Sequence, residues 1–96
     1  MYVVIFRAEV NRFDDAYSAM AERMRELAIN EYGCMEFTAC TEGSYEIALS
    51  YWENESQIKV WRQNSEHLIA QELGKNNWYK SYTVQVVEIV REYKSS

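Results

Sequence analysis

The sequence predicts an α+β fold in which strands and helices follow one another in the order βαββαβ, in a single domain of residues 1–96. Two observations carry this prediction. Runs rich in β-branched and aromatic residues occur at the start, in the middle and at the end of the chain, each bounded by polar turn residues. Between them, apolar residues recur every three or four positions, which is the period of an amphipathic helix. A chain of this length builds one core, so any ligand pocket is expected near the surface or between subunits.

The first half of the chain contains a strand, a helix and a hairpin. Residues 2–10 are an apolar, β-branched run that predicts a strand. Apolar positions in residues 13–32 follow the helical period, and Gly33 supplies a stop for this helix. Residues 34–41 and 45–52 are predicted strands joined by a Glu-Gly-Ser turn, so they are expected to pair antiparallel.

The second half supplies the remaining helical segments and the last strand. Asn54, followed by Gln three positions later, is a capping box that starts a second helix. Asn64 and Ser65 are predicted to interrupt this helix and to cap a third segment that ends near Gly74. Residues 81–93 form a long β-branched run and are predicted to be the last strand. This order is the split βαβ plan, or ferredoxin-like fold, with an antiparallel sheet.

The predicted sheet is apolar on both faces, although helices can cover only one of them. Successive strand residues point to opposite faces, and the apolar ones fill adjacent positions: Val3, Val4, Ile5, Phe6, Ile47, Ala48, Leu49, Tyr51, Trp52, Val84, Val86, Val87, Ile89 and Val90. Leaving several of them in water would forgo roughly 1.5 to 3 kcal/mol each. A monomer with loops folded over the sheet is the alternative, but the connections are short. We therefore predict a homodimer that pairs through a sheet face.

Charge and composition argue against several classes of partner. The formal charge is −5, and the ten basic residues are scattered singly among fifteen acidic ones, which does not suit a nucleic-acid surface. No apolar run approaches the ~18 residues of a membrane span, and the chain begins with strand-like residues instead of a signal peptide. The expectation is a cytoplasmic protein with no nucleic-acid or membrane partner.

The sequence also lacks the usual cofactor and metal motifs. Its three glycines are isolated, so no phosphate-binding loop is present, and His67 is its single histidine. Cys34 and Cys40 lie in one predicted strand, roughly 20 Å apart, too far for a disulfide or a shared zinc. Two small buried thiols are expected, with a disulfide to a partner chain as the alternative. We predict no cofactor and no metal.

Several residues are candidates for a functional site. His67 follows the predicted helix break and is placed to act as a general base, unless it only caps the helix. Arg91 lies within the apolar last strand, where a guanidinium needs an acidic partner or an anionic ligand. Aromatic residues in the second half are candidates for a cleft that stacks on a flat ligand, or else are simply core: Tyr51, Trp52, Trp61, Trp78, Tyr79 and Tyr82.

Residues 50–93 resemble the antibiotic biosynthesis monooxygenase family. The resemblance rests on a series of short motifs, which are Tyr51-Trp52 with Glu53, the Trp61-Arg62 pair, the Ser-Glu-His step to His67, the Gly-Lys step at Gly74, and WYKSY running into the VVEIVREY segment. These motifs cover about half of the chain. The first half fits the family only in its pattern of elements.

This resemblance implies a dimeric α+β barrel and, for members of known activity, oxygenation of electron-rich aromatics such as anthrones and quinols by molecular oxygen without a prosthetic group. It further implies that Trp61 stacks on the substrate, that His67 takes its proton, and that Arg91 steadies the oxyanion. A non-catalytic small-ligand-binding or structural dimer of the same fold is the alternative. Haem degradation, found in a distant branch, is disfavoured because Arg7 and Gln71 stand where that branch has Asn and His.

Overall fold

The strands and helices occur in the order that the sequence predicts. The computed structural model describes residues 1–95, apart from the side chain of Lys75. Its elements are β1 (Tyr2–Val10), α1 (Asp15–Glu31), β2 (Glu36–Glu42), β3 (Tyr45–Trp52), α2 (Glu55–Asn76) and β4 (Tyr79–Glu88). The strands form one sheet in the order β2-β3-β1-β4, and every neighbouring pair is antiparallel. The predicted ferredoxin-like α+β fold with an antiparallel sheet is confirmed.

The first helix and the hairpin follow their local signals. The Asp14 carboxylate caps α1 by accepting a hydrogen bond from the backbone N–H of Tyr17 at 2.8 Å. Gly33 has a φ of 85°, a left-handed conformation that suits glycine after a helix. The β2–β3 turn has two residues, since Glu42 pairs with Tyr45, and Gly43 provides its positive φ of 61°.

The second helix is continuous, so the predicted break at Asn64 and Ser65 is wrong. The Asn64 side chain donates to the backbone oxygen of Val60 at 3.0 Å, and the Ser65 hydroxyl donates to that of Arg62 at 3.2 Å. Both polar side chains are therefore satisfied by backbone carbonyls of the preceding turn and do not compete with the helical hydrogen bonds. The cap at Asn54 is confirmed, because its side-chain oxygen accepts from the Gln57 N–H.

The last strand is shorter than predicted. It ends at Glu88, opposite Tyr2, and one further backbone hydrogen bond joins the Ile89 N–H to the Met1 oxygen at 3.0 Å. β1 begins at Tyr2, so the strand-like residues after Ile89 have no neighbouring strand with which to form backbone hydrogen bonds. Arg91 consequently lies outside the sheet and is exposed, and its predicted place in a buried strand is wrong.

Both helices cover the same face of the sheet, and the core lies between the helices and the sheet. Val4 and Ala8 of β1 point to this inner face, where they join residues of α1 such as Met20 and Ala28. Cys34 is buried near this core, whereas Cys40 is exposed, so the expectation of two buried thiols holds for Cys34 alone. Within the described residues, no helix is long and apolar enough to span a membrane.

The opposite, outer face of the sheet is only partly apolar. Its centre carries apolar side chains from three strands, which are Val3, Ile5, Ile47, Leu49, Tyr51 and Val87. Ile47 and Val87 are each 39% exposed. The flanks of this face carry polar residues such as Thr38 and Gln85, which lie opposite Leu49 and Ile5 respectively. The outer face is thus an apolar stripe with a polar border, and this differs from the uniformly apolar face that the sequence predicts.

Candidate active site

A cavity of about 340 Å³ lies between the inner face of the sheet and the two helices. Every strand and both helices contribute to its walls, and most of the lining side chains are aromatic or aliphatic. The volume falls at the lower end of the roughly 300–1,000 Å³ range of ligand pockets. A small molecule of a few rings therefore suits its size.

One wall of the cavity is a cluster of aromatic rings. Phe6 meets Tyr79 edge-on at 5.5 Å between ring centroids and stacks on Tyr82 at 5.7 Å. Tyr17 of α1 meets Tyr79 edge-on at 5.8 Å, and their hydroxyls are 3.5 Å apart. Burial, followed by the charge of Glu46, raises the pKa of Tyr79, so its phenol stays neutral at physiological pH. The wall is mainly aromatic and its Tyr79 phenol is neutral, which suits an aromatic ligand.

The opposite wall is formed by α2. Trp61 is 7% exposed and packs against Trp52, with 5.2 Å between ring centroids, and against Phe37 at 6.3 Å. Ser65 and Ile69 follow Trp61 at intervals of four residues and line the same cavity. This continuous helix presents one face to the cavity along three successive turns.

Glu46 is an acidic residue on the sheet side of the cavity. Strand alternation places it on the inner face of β3, with Ala8 and Thr41 opposite it on the neighbouring strands. Its Oε2 atom is buried and has no hydrogen-bond partner within the described part of the chain. Burial raises the pKa of the Glu46 carboxyl, because the apolar surroundings disfavour its charged form.

Charged residues of both helices line the cavity as well. Glu22 and Arg25 belong to α1, and Arg62 and Glu66 belong to α2. Arg62 and Glu66 form an ion pair one helical turn apart, while the Nε atom of Arg62 is buried and has no hydrogen-bond partner in residues 1–95. The helix side of the cavity therefore carries both signs of charge, and the sheet side carries the Glu46 carboxyl.

The structure brings only some of the predicted site residues together. Trp61 and Tyr82 line the cavity. Trp52 is fully buried behind Trp61, and Trp78 lies in a separate cleft between the two helices. Tyr51 is on the outer face of the sheet, opposite Val3, and does not reach the cavity.

His67 and Arg91, the two candidates with ionisable nitrogen groups, lie outside the cavity. His67 is exposed because α2 continues through this region, and a residue two positions after Ser65 is about 200° around the helix axis. Arg91 lies past the end of β4 and is exposed as well. Glu46 was missed by the sequence reasoning. The signal for it was its spacing of two, four and six residues from Ala48, Ser50 and Trp52, which are all buried.

Comparison with known proteins places the chain in a family. No family model matches it. The chain is 36% identical over 92 residues to the uncharacterised protein YqjZ of Bacillus subtilis, an alignment that covers 95% of this chain and 81% of YqjZ. It is 27% identical over 101 residues to the jasmonate monooxygenase ABM of Pyricularia oryzae, covering 100% of this chain and 46% of that longer protein.

Solved structures share the fold at lower identity. SnoaB, a cofactor-independent oxygenase from Streptomyces nogalater, superimposes with a TM-score of 0.77 at 8% sequence identity, covering 98% of this chain and 97% of SnoaB. Other bacterial structures with the same fold are assigned as antibiotic biosynthesis monooxygenases. The chain belongs to the antibiotic biosynthesis monooxygenase family. Its relatives include monooxygenases, and the predicted family resemblance is confirmed.

Proposed function

We propose that this protein is a cofactor-independent monooxygenase that oxygenates a small electron-rich aromatic compound, of the anthrone or quinol type, with molecular oxygen. The observation that carries the proposal is the cavity between the sheet and the helices, which is lined mainly by aromatic and aliphatic side chains. Membership of a family that includes monooxygenases supports the same reaction class. Trp61 and the ring cluster of Phe6, Tyr79 and Tyr82 would hold the flat ligand between them.

The reaction needs no redox group from the protein if the substrate is ionised. For an anthrone, loss of one C–H proton leaves a carbanion that passes an electron to O₂, and the resulting radical pair combines to form a C–O bond. The peroxide takes up a proton, and its O–O bond then breaks as the second C–H proton is lost. One oxygen atom stays as the new ketone and the other leaves as water. The protein's work is to bind the ring, remove the proton and exclude bulk water.

The direct test is oxygen uptake by the purified protein against a panel of anthrones and quinols. Jasmonate belongs in the panel because one relative is named as its monooxygenase. Ala39 lines the cavity from β2, so Ala39→Phe is expected to fill it and to reduce uptake at least 10-fold. Ala70→Phe adds the same ring at an exposed position of α2 and serves as the matched control.

The alternative is a dimer that binds a small molecule without chemistry. It predicts that ligands quench the tryptophan fluorescence of wild type, and not that of Ala39→Phe, while no compound raises oxygen uptake above its spontaneous rate. Uptake that is equal in Ala39→Phe and in wild type would place the reaction outside this cavity and contradict the proposal.

We also propose that two copies of the chain pair through the outer face of the sheet. The support is the apolar stripe at the centre of this face, where Ile47 and Val87 remain more than a third exposed. Burying such side chains stabilises by roughly 1.5 to 3 kcal/mol each. A second copy offers a matching stripe with a matching polar border, as a two-fold symmetric interface requires.

A further inference from the structure

The Glu46 carboxylate lines the aromatic cavity, in a position to accept a proton from a bound ligand. It lies on the inner face of β3 and lines the cavity, although a charged strand residue is ordinarily found on the solvent face. The residues opposite it, Ala8 and Thr41, are small and leave space above the carboxylate. The side chain therefore faces the volume that a ligand would occupy.

No structural role accounts for this carboxylate within the described part of the chain. No cation forms an ion pair with Glu46, and its buried Oε2 atom accepts no hydrogen bond. A buried acceptor without a partner destabilises the folded state, so stability alone would favour replacing it. Groups that are held at such a cost are typical of functional sites.

The other ionisable groups around the cavity are less suited to remove a proton. They are Tyr17, Glu22 and Arg25 from α1, Arg62 and Glu66 from α2, and Tyr79 and Tyr82 from β4. Glu22 is exposed to solvent, and the Glu66 carboxylate is already paired with Arg62. The pKa of Tyr79 is raised, so its phenol does not act as a base at neutral pH. Burial raises the pKa of Glu46 above its ordinary value, which makes its carboxylate a stronger base.

We propose that Glu46 is the catalytic base of this cavity. The inference rests on the proposed function for its substrate class. In the step assigned to Glu46, the C–H bond of the substrate breaks and the proton bonds to a carboxylate oxygen. The electron pair stays on the substrate as a delocalised carbanion. This carbanion transfers an electron only in the later step, to O₂. His67, the base expected from the sequence, is exposed and outside the cavity, so it has no part in this step.

The experiment separates proton removal from oxygenation. Anthrone is incubated with the protein in D₂O under nitrogen, and exchange of its methylene protons for deuterium is followed by NMR above the spontaneous rate. Wild type is compared with Glu46→Gln, which has the same shape but is a poor base. The matched control is Glu42→Gln, an exposed glutamate at the end of β2. Quenching of the tryptophan fluorescence by anthraquinone reports whether each variant still folds and binds, since Trp61 lines the cavity. Oxygen uptake is measured in parallel.

We expect Glu46→Gln to lose about 100-fold or more of the protein-catalysed exchange, with unchanged anthraquinone binding, whereas Glu42→Gln keeps it. This result would support Glu46 as the base even if no oxygen were consumed, in which case only the proposed oxygenation fails. Full exchange or full oxygen uptake in Glu46→Gln would overturn the inference while leaving the oxygenase intact. Absence of exchange in wild type would overturn it too, as would loss of exchange in His67→Ala alone.

Discussion

At the scale of single residues, the cavity depends on one unusual placement, which is the Glu46 carboxylate on the inner face of β3. The surrounding rings of Phe6, Tyr79 and Tyr82 give the cavity its shape. Trp61 fixes the opposite wall by packing on Trp52 and Phe37. The site is thus a mainly apolar cavity whose sheet side carries one partly buried carboxyl, with a pKa that burial raises.

The raised pKa of Glu46 predicts how stability depends on pH. A carboxyl with a pKa above its unfolded value of about 4.3 holds its proton more tightly in the folded state. The stabilisation that comes from holding this proton is therefore complete below about pH 4. It is lost as the pH rises through the pKa that Glu46 has in the folded protein. We expect the wild type to lose stability relative to Glu46→Gln over the interval from about pH 4 through the pKa of Glu46 in the folded protein.

Urea unfolding of both proteins at several pH values in this interval checks the prediction. The difference between their free energies of unfolding should grow as the pH rises, in favour of Glu46→Gln. Glu42→Gln should follow the wild type throughout. Parallel curves for wild type and Glu46→Gln would mean that Glu46 titrates as it does in the unfolded chain.

At the scale of elements, α2 is the feature that places the site. Its continuity sets Trp61, Ser65 and Ile69 on one face, and it carries His67 around to the other side. Gly74 lies within this helix, and a Cβ added there would meet no atom within 4 Å. We expect Gly74→Ala to stabilise the protein by about 0.5–1 kcal/mol, because alanine restricts the unfolded chain more and favours helix.

The measurement is the midpoint of urea unfolding. Gly33→Ala is the contrasting variant, since its Cβ would approach the Gln57 side chain to 2.5 Å and its φ is 85°. That substitution should destabilise by at least about 1 kcal/mol. A destabilising Gly74→Ala would indicate that Gly74 does not have a helical backbone conformation, and would contradict this prediction.

The sequence predicts most elements because their signals are local. Periodicity and turn residues, which are visible in the sequence itself, predict the strand at residues 2–10, the first helix and the β2–β3 hairpin. The end of β4 depends on where β1 begins, and the continuity of α2 depends on side chains that bond back to Val60 and Arg62. Trp61 was a candidate both as an aromatic residue of the second half and from the family resemblance. Glu46 was missed, because its alternation with Ala48, Ser50 and Trp52 marks the inner face only once those residues are known to be buried.

At the scale of the whole molecule, the two faces of the sheet have different roles. The inner face carries the cavity, and the outer face carries an apolar stripe that one chain leaves partly in water. Val90 and Tyr93, after β4, are 77% and 87% exposed and add apolar surface beyond the sheet. An assembly of two copies would cover the stripe without closing the cavity.

The proposed pairing predicts the mass of the protein in solution. Wild type should have the mass of a dimer by light scattering, and Ile47→Lys should shift it to a monomer by placing a charge in the stripe, beside Arg7. Val60→Lys is the control, because Val60 is 49% exposed on α2, away from the sheet. A monomeric wild type, or a dimer that Ile47→Lys leaves intact, would contradict the pairing.

The measurement that tests the central claim most directly is the fate of labelled oxygen. Purified, metal-free protein is supplied with anthrone under ¹⁸O₂, and the product is analysed by mass spectrometry beside Ala39→Phe and a sample without protein. The account predicts protein-dependent formation of the ketone with one ¹⁸O atom, strongly reduced in Ala39→Phe. No protein-dependent product across the panel, or a product whose new oxygen comes from water, would contradict it.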